Sequence, residues 1–193
     1  MGDYVGKGVR DMIFPPIEIM DKQGQSVVLR NAEEEDAEDL IQYLRVVSGE
    51  TPFLVREPEE IMLTIEQEQN FLREKKASDK ELMLIAVVNG KHAGNCSIMQ
   101  LGTNRRYAHR CQVGVALYQE YCGRGIGKKM LQAVLQKAKE AGYEQAELEV
   151  MKENERVISL YKQLGFAEYG VFPQNVKYKD GTYADAVWMM KKL

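Results

Sequence analysis

The chain has 193 residues, of which 45% are hydrophobic and 28% charged, and its net charge is −3. This length predicts a single domain with one core. The mildly acidic balance gives no general attraction to nucleic acid or to an anionic membrane, so neither is expected as a partner. No apolar run approaches the roughly 20 residues that a membrane-spanning helix needs. Residues 1–10 also lack the apolar centre of a secretory signal.

The cysteines and histidines point to a reducing compartment without a metal site. Cys96, Cys111 and Cys122 are odd in number and widely spaced, which is typical of free thiols in the cytosol, so a cytoplasmic location is expected. His92 and His109 do not have metal-ligand spacing, and no metal is expected.

The first half of the chain predicts a hairpin and two helices. Extended runs over 17–20 and 26–30 flank a turn. Asn31 is expected to cap a helix with an acidic first turn that runs to about residue 47. Pro58 marks the start of a second helix over about 58–76.

The second half alternates strands and helices, and the whole order is β-β-α-α-β-β-β-α-β-α-β-β. The strands are predicted at about 82–88, 93–101, 110–118, 146–151, 167–178 and 182–191, and the helices at 126–142 and 154–165. Asn89-Gly90 is a two-residue hairpin turn, and Gly142 is a helix stop.

A glycine loop lies between a predicted strand and a predicted helix. It reads Cys122-Gly123-Arg124-Gly125-Ile126-Gly127. Glycine lets the backbone come close to a ligand, and the helix start adds free amides and a positive dipole end. The loop therefore favours a phosphate or pyrophosphate.

Asn154 and Tyr161 are seven residues apart on one predicted helix, so they share a face. Asn154 is either an N-cap or a ligand contact, and Tyr161 is either core or a proton donor. A phenol with a pKa near 10 suits an acid that stays protonated until a strong base forms beside it.

Taken together, the two segments resemble the GNAT superfamily of N-acetyltransferases. The resemblance is carried by Val115-Ala116-Leu117, by residues 122–127, and by Asn154 followed by Leu160-Tyr161-Lys162-Gln163-Leu164-Gly165-Phe166. It covers about residues 26–191. It implies one α/β domain over 26–193, with helices on both faces of a mixed, mostly antiparallel sheet that contains a splayed parallel strand pair. Residues 1–25 are then an N-terminal extension with the first hairpin strand.

The resemblance also implies a role for each segment. Backbone groups of Val115 and Leu117 would pair with the pantetheine arm of acetyl-CoA, the co-substrate. The amides of Cys122, Gly123, Arg124, Gly125, Ile126 and Gly127 would hold its pyrophosphate, with charge from Lys128 or Arg124. Asn154 would position the cofactor, and Tyr161 would protonate the leaving thiolate.

Two positions depart from the family pattern. Cys122 stands where Arg or Gln is usual, and a thiol beside a helix N-terminus can have a lowered pKa. A catalytic Cys122 is disfavoured because no base is near it in sequence. The glutamate that histone-type members use as a base corresponds to Gln112, which cannot take a proton. Glu149, His109 or a chain of waters remain open as the base.

The leading hypothesis is an acetyl-CoA-dependent N-acetyltransferase in which a primary amine, on a small molecule, attacks the thioester directly. Residues 48–78 would line the acceptor side. Acetylation of a protein N-terminus or lysine stays open, as does a non-catalytic acyl-CoA-binding module. A homodimer through the C-terminal strands is compatible with the sequence.

Overall fold

The structure is a computed structural model that describes residues 12–193. In this part of the chain eight strands form one sheet. The strands are β1 (Ile17–Met20), β2 (Ser26–Asn31), β3 (Leu82–Val88), β4 (Lys91–Gln100), β5 (Arg110–Leu117), β6 (Gln145–Met151), β7 (Ala167–Lys177) and β8 (Tyr183–Lys192). The helices are α1 (Ala37–Glu50), α2 (Ile65–Ala77), α3 (Ile126–Glu140) and α4 (Glu155–Gln163).

The sheet has the order β1-β2-β3-β4-β5-β6-β8-β7. Its neighbours are antiparallel except β5 and β6, which are parallel and joined by the α3 crossover. The predicted element order and the mixed, mostly antiparallel sheet are confirmed.

The parallel pair separates soon after it starts. β5 and β6 pair only from Arg110 to Gln112 and from Gln145 to Glu147. Beyond these residues β5 stays paired with β4 as far as Leu117, and β6 stays paired with β8 as far as Met151. A cleft therefore opens between β5 and β6 in the middle of the sheet.

Helices cover both faces of the sheet. The apolar stripe of α3 packs into the main core with β3, β4 and β5, and residues Ile158 and Tyr161 of α4 join it. On the opposite face, Leu40 of α1 and Leu72 of α2 pack against Ile85 of β3. At the β7 edge of this face, the side chains of Tyr169 and Phe172 are exposed.

Two predicted helix starts are wrong. Asn31 ends β2 instead of capping a helix, and its Oδ1 accepts a 2.6 Å bond from the Phe14 amide. α1 is entered through a 3-10 turn at Glu34–Asp36, where Asp36 accepts from the Glu33 amide. The reason is register, because Asn31 pairs with Leu84 of β3.

The helix predicted over 58–76 is two pieces. Pro58 starts only a 3-10 turn, Pro58–Glu60, and α2 begins after Thr64. Thr64 and Gln67 cap each other, with Thr64 Oγ1 accepting from Gln67 N at 3.2 Å and Gln67 Oε1 accepting from Thr64 N at 2.9 Å. This capping box was readable in the sequence as Thr-x-x-Gln.

Candidate active site

The glycine loop turns the chain from the end of β5 into α3. Gly123 and Gly125 have φ of 83° and 85°, a left-handed conformation that costs other residues roughly 1–2 kcal/mol. Gly125 is the residue before the helix, and it offers no side-chain cap. The predicted loop-to-helix geometry is therefore present, with the start of α3 open.

The loop amides form a row of unused donors. Within residues 12–193, the amides from Gly123 to Gly127 donate to no other group. The Cys122 amide is different because it donates to the Gln119 carbonyl at 3.1 Å. The role of Cys122 in cofactor binding stays a prediction, and its amide is not free to bind the pyrophosphate.

A neighbouring hairpin turn supports the loop from behind. The Arg124 guanidinium bonds to Asp21 of the β1–β2 turn, with Nε 2.7 Å from Oδ2, and it lies over the ring of Tyr121. The Lys22 amide donates to the Arg124 carbonyl at 2.9 Å. Because its side chain is held by Asp21, Arg124 can serve a ligand through its backbone.

Three cations surround the free amides. Lys128, as predicted for that position, extends from the first turn of α3, with its Nζ 3.3 Å from Gln163 Oε1. The side chain of Lys22 lies against Gly125, where an added Cβ would be 3.3 Å from its Cγ. Arg156 lies over Gly123, where an added Cβ would be 2.9 Å from its Nη2.

Sequence reasoning missed Arg156 and Lys22. Arg156 lies two residues after Asn154, on the helix that carries Asn154 and Tyr161. Its position on that helix was a signal from which its approach to the loop could have been predicted. Lys22 carries no sequence signal, because only the fold brings the β1–β2 turn to the loop.

The backbone of β5 offers hydrogen-bonding groups to the cleft. Tyr118 N donates to Ala93 O of β4 at 3.1 Å, and backbone groups alternate sides along a strand. Leu117 and Val115 therefore direct their backbone groups away from β4 and toward the opening. Gly94 allows β4 to approach closely at this point, since an added Cβ would lie 2.5 Å from Ala116 O.

Tyr161 lies under the cleft with a free hydroxyl. Its side chain is buried, at 5% exposure, and packs against Phe166 with ring centroids 5.6 Å apart. Burial raises the pKa of the Tyr161 phenol, and the nearby Cys96 adds to the rise. Cys96 is the cross-strand partner of Val115. Tyr161 is therefore a protonated donor beside the strand segment that the pantetheine arm is predicted to use.

Asn154 is the N-cap of α4. Its Oδ1 accepts from the Val157 amide at 3.4 Å, a long bond. Of the two roles considered for Asn154, the structure shows the N-cap. A contact between the Asn154 side chain and the cofactor stays a prediction.

Glu149 follows the last paired residue of β6 by two positions, on the same side of the strand as Glu147. Its side chain is exposed and held by two neutral donors. Trp188 Nε1 donates to Oε2 and Asn175 Nδ2 donates to Oε1, both at 2.8 Å. The carboxylate is thereby fixed at the edge of the cleft.

His109, the other residue considered as the base, and Gln112, which stands at the position of the family glutamate, lie differently. His109 is exposed and precedes β5, at the end where β5 and β6 are still paired. Gln112 is the last paired residue of β5, opposite Glu147. His109 therefore lies away from the open part of the cleft, whereas Gln112 borders it but has no basic group.

The expectation of a lowered thiol pKa at Cys122 is wrong. Burial raises the pKa of the Cys122 thiol, and the opposing charge of Arg156 does not overcome it. The Cys122 Sγ lies 3.9 Å from the Leu117 carbonyl oxygen.

Two features are absent from residues 12–193. No cluster of three or more His, Cys, Asp or Glu side chains is arranged to hold a metal ion. No helix in that range has the length and apolarity needed to span a membrane.

The family profile described as the acetyltransferase (GNAT) family matches residues 42–166. This stretch contains β5, the glycine loop, α3, β6 and α4, so the site and the profile coincide. The chain belongs to the acetyltransferase (GNAT) family, which confirms the resemblance.

Two curated relatives match parts of the chain. The L-amino acid N-acyltransferase MnaT of Escherichia coli is 24% identical over 111 residues, 58% of this chain and 64% of that protein. N-alpha-acetyltransferase 30 of Schizosaccharomyces pombe is 40% identical over 55 residues, 28% of this chain and 37% of that protein. The chain thus spans less than two thirds of either relative.

Solved structures share the fold over most of the chain. An acetyltransferase of the GNAT family from Streptococcus pneumoniae is 28% identical with a TM-score of 0.83, covering 86% of this chain and 99% of that one. A phosphinothricin acetyltransferase from Sinorhizobium meliloti, solved with AcCoA, is 18% identical with a TM-score of 0.76, covering 86% and 88%. The predicted fold class is confirmed by these structures.

Proposed function

We propose that the protein is an acetyl-CoA-dependent N-acetyltransferase that acts on a primary amine. The observation that carries the proposal is the opening of the sheet between β5 and β6, beside five free loop amides and the hydroxyl of the largely buried Tyr161 side chain. These features together provide an anion site, a slot for an extended arm and an acid.

The site residues suit the chemistry of acetyl-CoA. Free amides from Gly123 to Gly127, at a helix N-terminus, suit a pyrophosphate. Lys128, Arg156 and Lys22 add positive charge around it. The open edge of β5 at Val115 and Leu117 suits the amides of a pantetheine arm. Acetyl-CoA supplies the acetyl group as an activated thioester.

Two side chains have opposite tasks in the transfer. The amine nitrogen forms a bond to the acetyl carbon while the carbon–sulfur bond breaks. Tyr161 donates its proton to the leaving sulfur, and the base takes the proton that the amine loses, so amine and thioester become amide and thiol. The rate enhancement comes from positioning of the reactants and from proton transfer, and no protein nucleophile is needed.

We assign the base to Glu149 rather than to His109. Glu149 follows the point where β5 and β6 separate, and Trp188 and Asn175 fix its carboxylate. His109 precedes β5 by one residue and lies about four residues, roughly 13 Å along a strand, before the cleft opens.

A small-molecule amine is the acceptor we propose. The loop after α1 is tied to the β7–β8 hairpin, with Tyr178 OH donating to Pro52 O at 3.2 Å and Lys179 paired with Glu57 and Glu59. This contact closes one end of the acceptor side. A folded protein substrate would need both ends open, whereas a small amine needs only one. Two of the similar proteins are named for amino acid and phosphinothricin acylation.

Titration calorimetry with acetyl-CoA, CoA and ATP tests the proposal, followed by a free-thiol assay over a panel of amines. We expect acetyl-CoA and CoA to bind and ATP to bind more weakly, with thiol release for a subset of small amines. Absence of acetyl-CoA binding would overturn the reading of the glycine loop.

The second candidate is a non-catalytic acyl-CoA-binding module, which the glutamine at position 112 favours. It predicts binding of acetyl-CoA without thiol release for any amine or for peptides with free N-termini. Release with peptides alone would instead favour a protein acetyltransferase.

A further inference from the structure

An aromatic surface lies next to Glu149, on the same face of β6, β8 and β7. The ring of Trp188 is 6.1 Å from Tyr169 and 5.9 Å from Phe172, centroid to centroid. Tyr169 and Phe172 are 53% and 46% exposed. These three rings are called the aromatic face below, and packing alone does not explain Tyr169 and Phe172, because much of their area is in water, whereas Trp188 is partly buried.

The aromatic face is joined to two carboxylates. Trp188 donates to Glu149, and the Tyr169 hydroxyl lies beside Glu147, whose pKa is lowered chiefly by its bonds with Arg110. Glu147 and Glu149 are alternate residues of β6, so their positions are roughly 7 Å apart. Aromatic rings and a carboxylate are the groups that recognise organic cations.

The cations that border this surface are already paired. Arg110 is paired with Glu147 through Nη2 and Oε2 at 2.6 Å, and Lys179 is paired with Glu57 and Glu59. Lys177 lies over the ring of Tyr183, which faces the other side of the sheet from Trp188. Among the described residues around the face, this leaves the carboxylate of Glu149 without a cationic partner.

We propose that the acceptor is a diamine, an amine with a second cationic group and no carboxylate, whose distal cation rests on the aromatic face. The proposal rests on the proposed acetyltransferase function and specifies its substrate class. Glu149 takes the proton from the attacked amine, and the rings of Tyr169, Trp188 and Phe172 bind the distal cation. An α-amino acid fits poorly, because its carboxylate would meet Glu149 with no free cation to offset the repulsion.

Three acceptor amines of matched length separate the effect of the second cation from the effect of a carboxylate. Cadaverine has two amines, pentylamine lacks the second cation, and L-lysine adds a carboxylate to the cadaverine skeleton. We expect kcat/KM in the thiol-release assay to be at least tenfold higher for cadaverine than for either of the others. Equal or higher kcat/KM for L-lysine or pentylamine would overturn the proposal while leaving the acetyltransferase function standing.

A pair of exposed apolar substitutions tests the aromatic face itself. Phe172→Leu keeps an apolar side chain but removes the ring. Its control is Val171→Ala, at a neighbouring position that is equally exposed on the opposite side of the strand. One exposed cation–π contact of about 0.5–1 kcal/mol predicts a two- to fivefold rise in the KM for cadaverine in Phe172→Leu. The KM for pentylamine should stay the same in both variants.

The outcomes distinguish a failure of the acetyltransferase function from a failure of the cation site. If the wild-type protein binds acetyl-CoA but releases no thiol with any amine, the acetyltransferase function itself is contradicted, and not only the binding of a cation to the aromatic face. An equal change in the KM of cadaverine and pentylamine in Phe172→Leu would overturn the cation site. So would a change from dimer to monomer in Phe172→Leu by sedimentation, because the face would then be an interface between two copies.

Discussion

Tyr161 is the residue whose surroundings most directly suggest chemistry. Its phenol is buried and has a raised pKa, so it stays protonated well above neutral pH. A Tyr161→Phe variant keeps the ring that packs on Phe166 and loses only the hydroxyl. Since general acids contribute about 10²–10⁴-fold, we expect kcat to fall at least 100-fold, while calorimetry gives an unchanged Kd for acetyl-CoA.

A second buried tyrosine provides the control for this experiment. Tyr143 is also buried, and its hydroxyl donates to Lys80 O at 2.9 Å, away from the cleft. Tyr143→Phe should lower the melting temperature and leave kcat unchanged. If Tyr161→Phe shows the same pattern as Tyr143→Phe, Tyr161 has no part in the transfer.

Arg156 is a cation beside the free amides, since its Nη2 lies over Gly123. A hydrogen bond from a charged group contributes about 1.5–3 kcal/mol, which corresponds to roughly tenfold or more in affinity. We expect Arg156→Gln to raise the Kd for CoA about tenfold and to reduce its dependence on salt. Lys162→Gln, on the same helix but paired with Glu168 at 2.7 Å, should leave both unchanged.

At the scale of elements, the close approach of β4 and β5 can be tested through glycine. A Cβ on Gly94 would lie 2.3 Å from Leu117 Cδ2 and 2.8 Å from Leu117 Cα, whereas a Cβ on Gly114 would meet only Ser97 Oγ at 3.8 Å. Gly94→Ala should therefore cost about 1–3 kcal/mol of unfolding free energy, as overpacking does. It should also weaken CoA binding, because Leu117 moves.

Denaturant unfolding of Gly94→Ala and Gly114→Ala side by side measures this difference. The Gly114→Ala variant should stay within about 0.5 kcal/mol of wild type, as substitutions without a special contact usually do. Equal stability of the two variants would mean that β4 can move away from β5 without cost.

Element order and the glycine loop were predictable because their signals are local. Periodicity marks α3 and its stop at Gly142, and Asn89-Gly90 marks a hairpin turn whose two residues both have positive φ. Periodicity reports which face of an element is buried but not which partner covers it. It therefore could not show that Trp188, 39 residues away, holds Glu149.

The two wrong helix starts have the same physical origin. Asn31 has the chemistry of a cap, but pairing with Leu84 keeps it in the sheet, so a tertiary contact overrides a local preference. Pro58 has the chemistry of a first helical turn, but the turn stops at Glu60, and the capping box at Thr64 begins α2. Local signals of equal strength compete, and packing selects between them.

At the scale of the whole molecule, buried and paired carboxylates set the response to acid. Bonds from Arg110 lower the pKa of Glu147. At Asp36, burial raises the pKa, but hydrogen bonds from Arg30 and the Glu33 amide outweigh burial, so the pKa of Asp36 is also lowered. Stability from a lowered carboxyl pKa is present above the unfolded pKa, about 4, and is lost as pH falls through the folded value.

We therefore expect the contribution of these two carboxyls to the unfolding free energy to be constant from about pH 7 to pH 5 and to fall steadily below about pH 4. Glu147→Gln should be less stable at neutral pH but show a shallower decline in acid, since one linked proton is removed. Glu74→Gln, an exposed position on α2, serves as the control. If the unfolding free energy falls as steeply in acid for Glu147→Gln as for wild type, Glu147 does not contribute to the loss of stability in acid.

The contact between Arg124 and Asp21 joins residues 103 positions apart in the chain. The loop that is predicted to hold the cofactor is thus shaped partly by a turn made from the first strands of the described fold. The two segments therefore form one structural unit despite their distance in sequence. A chimaera that takes residues 122–127 from a relative would need the matching β1–β2 turn from that relative as well.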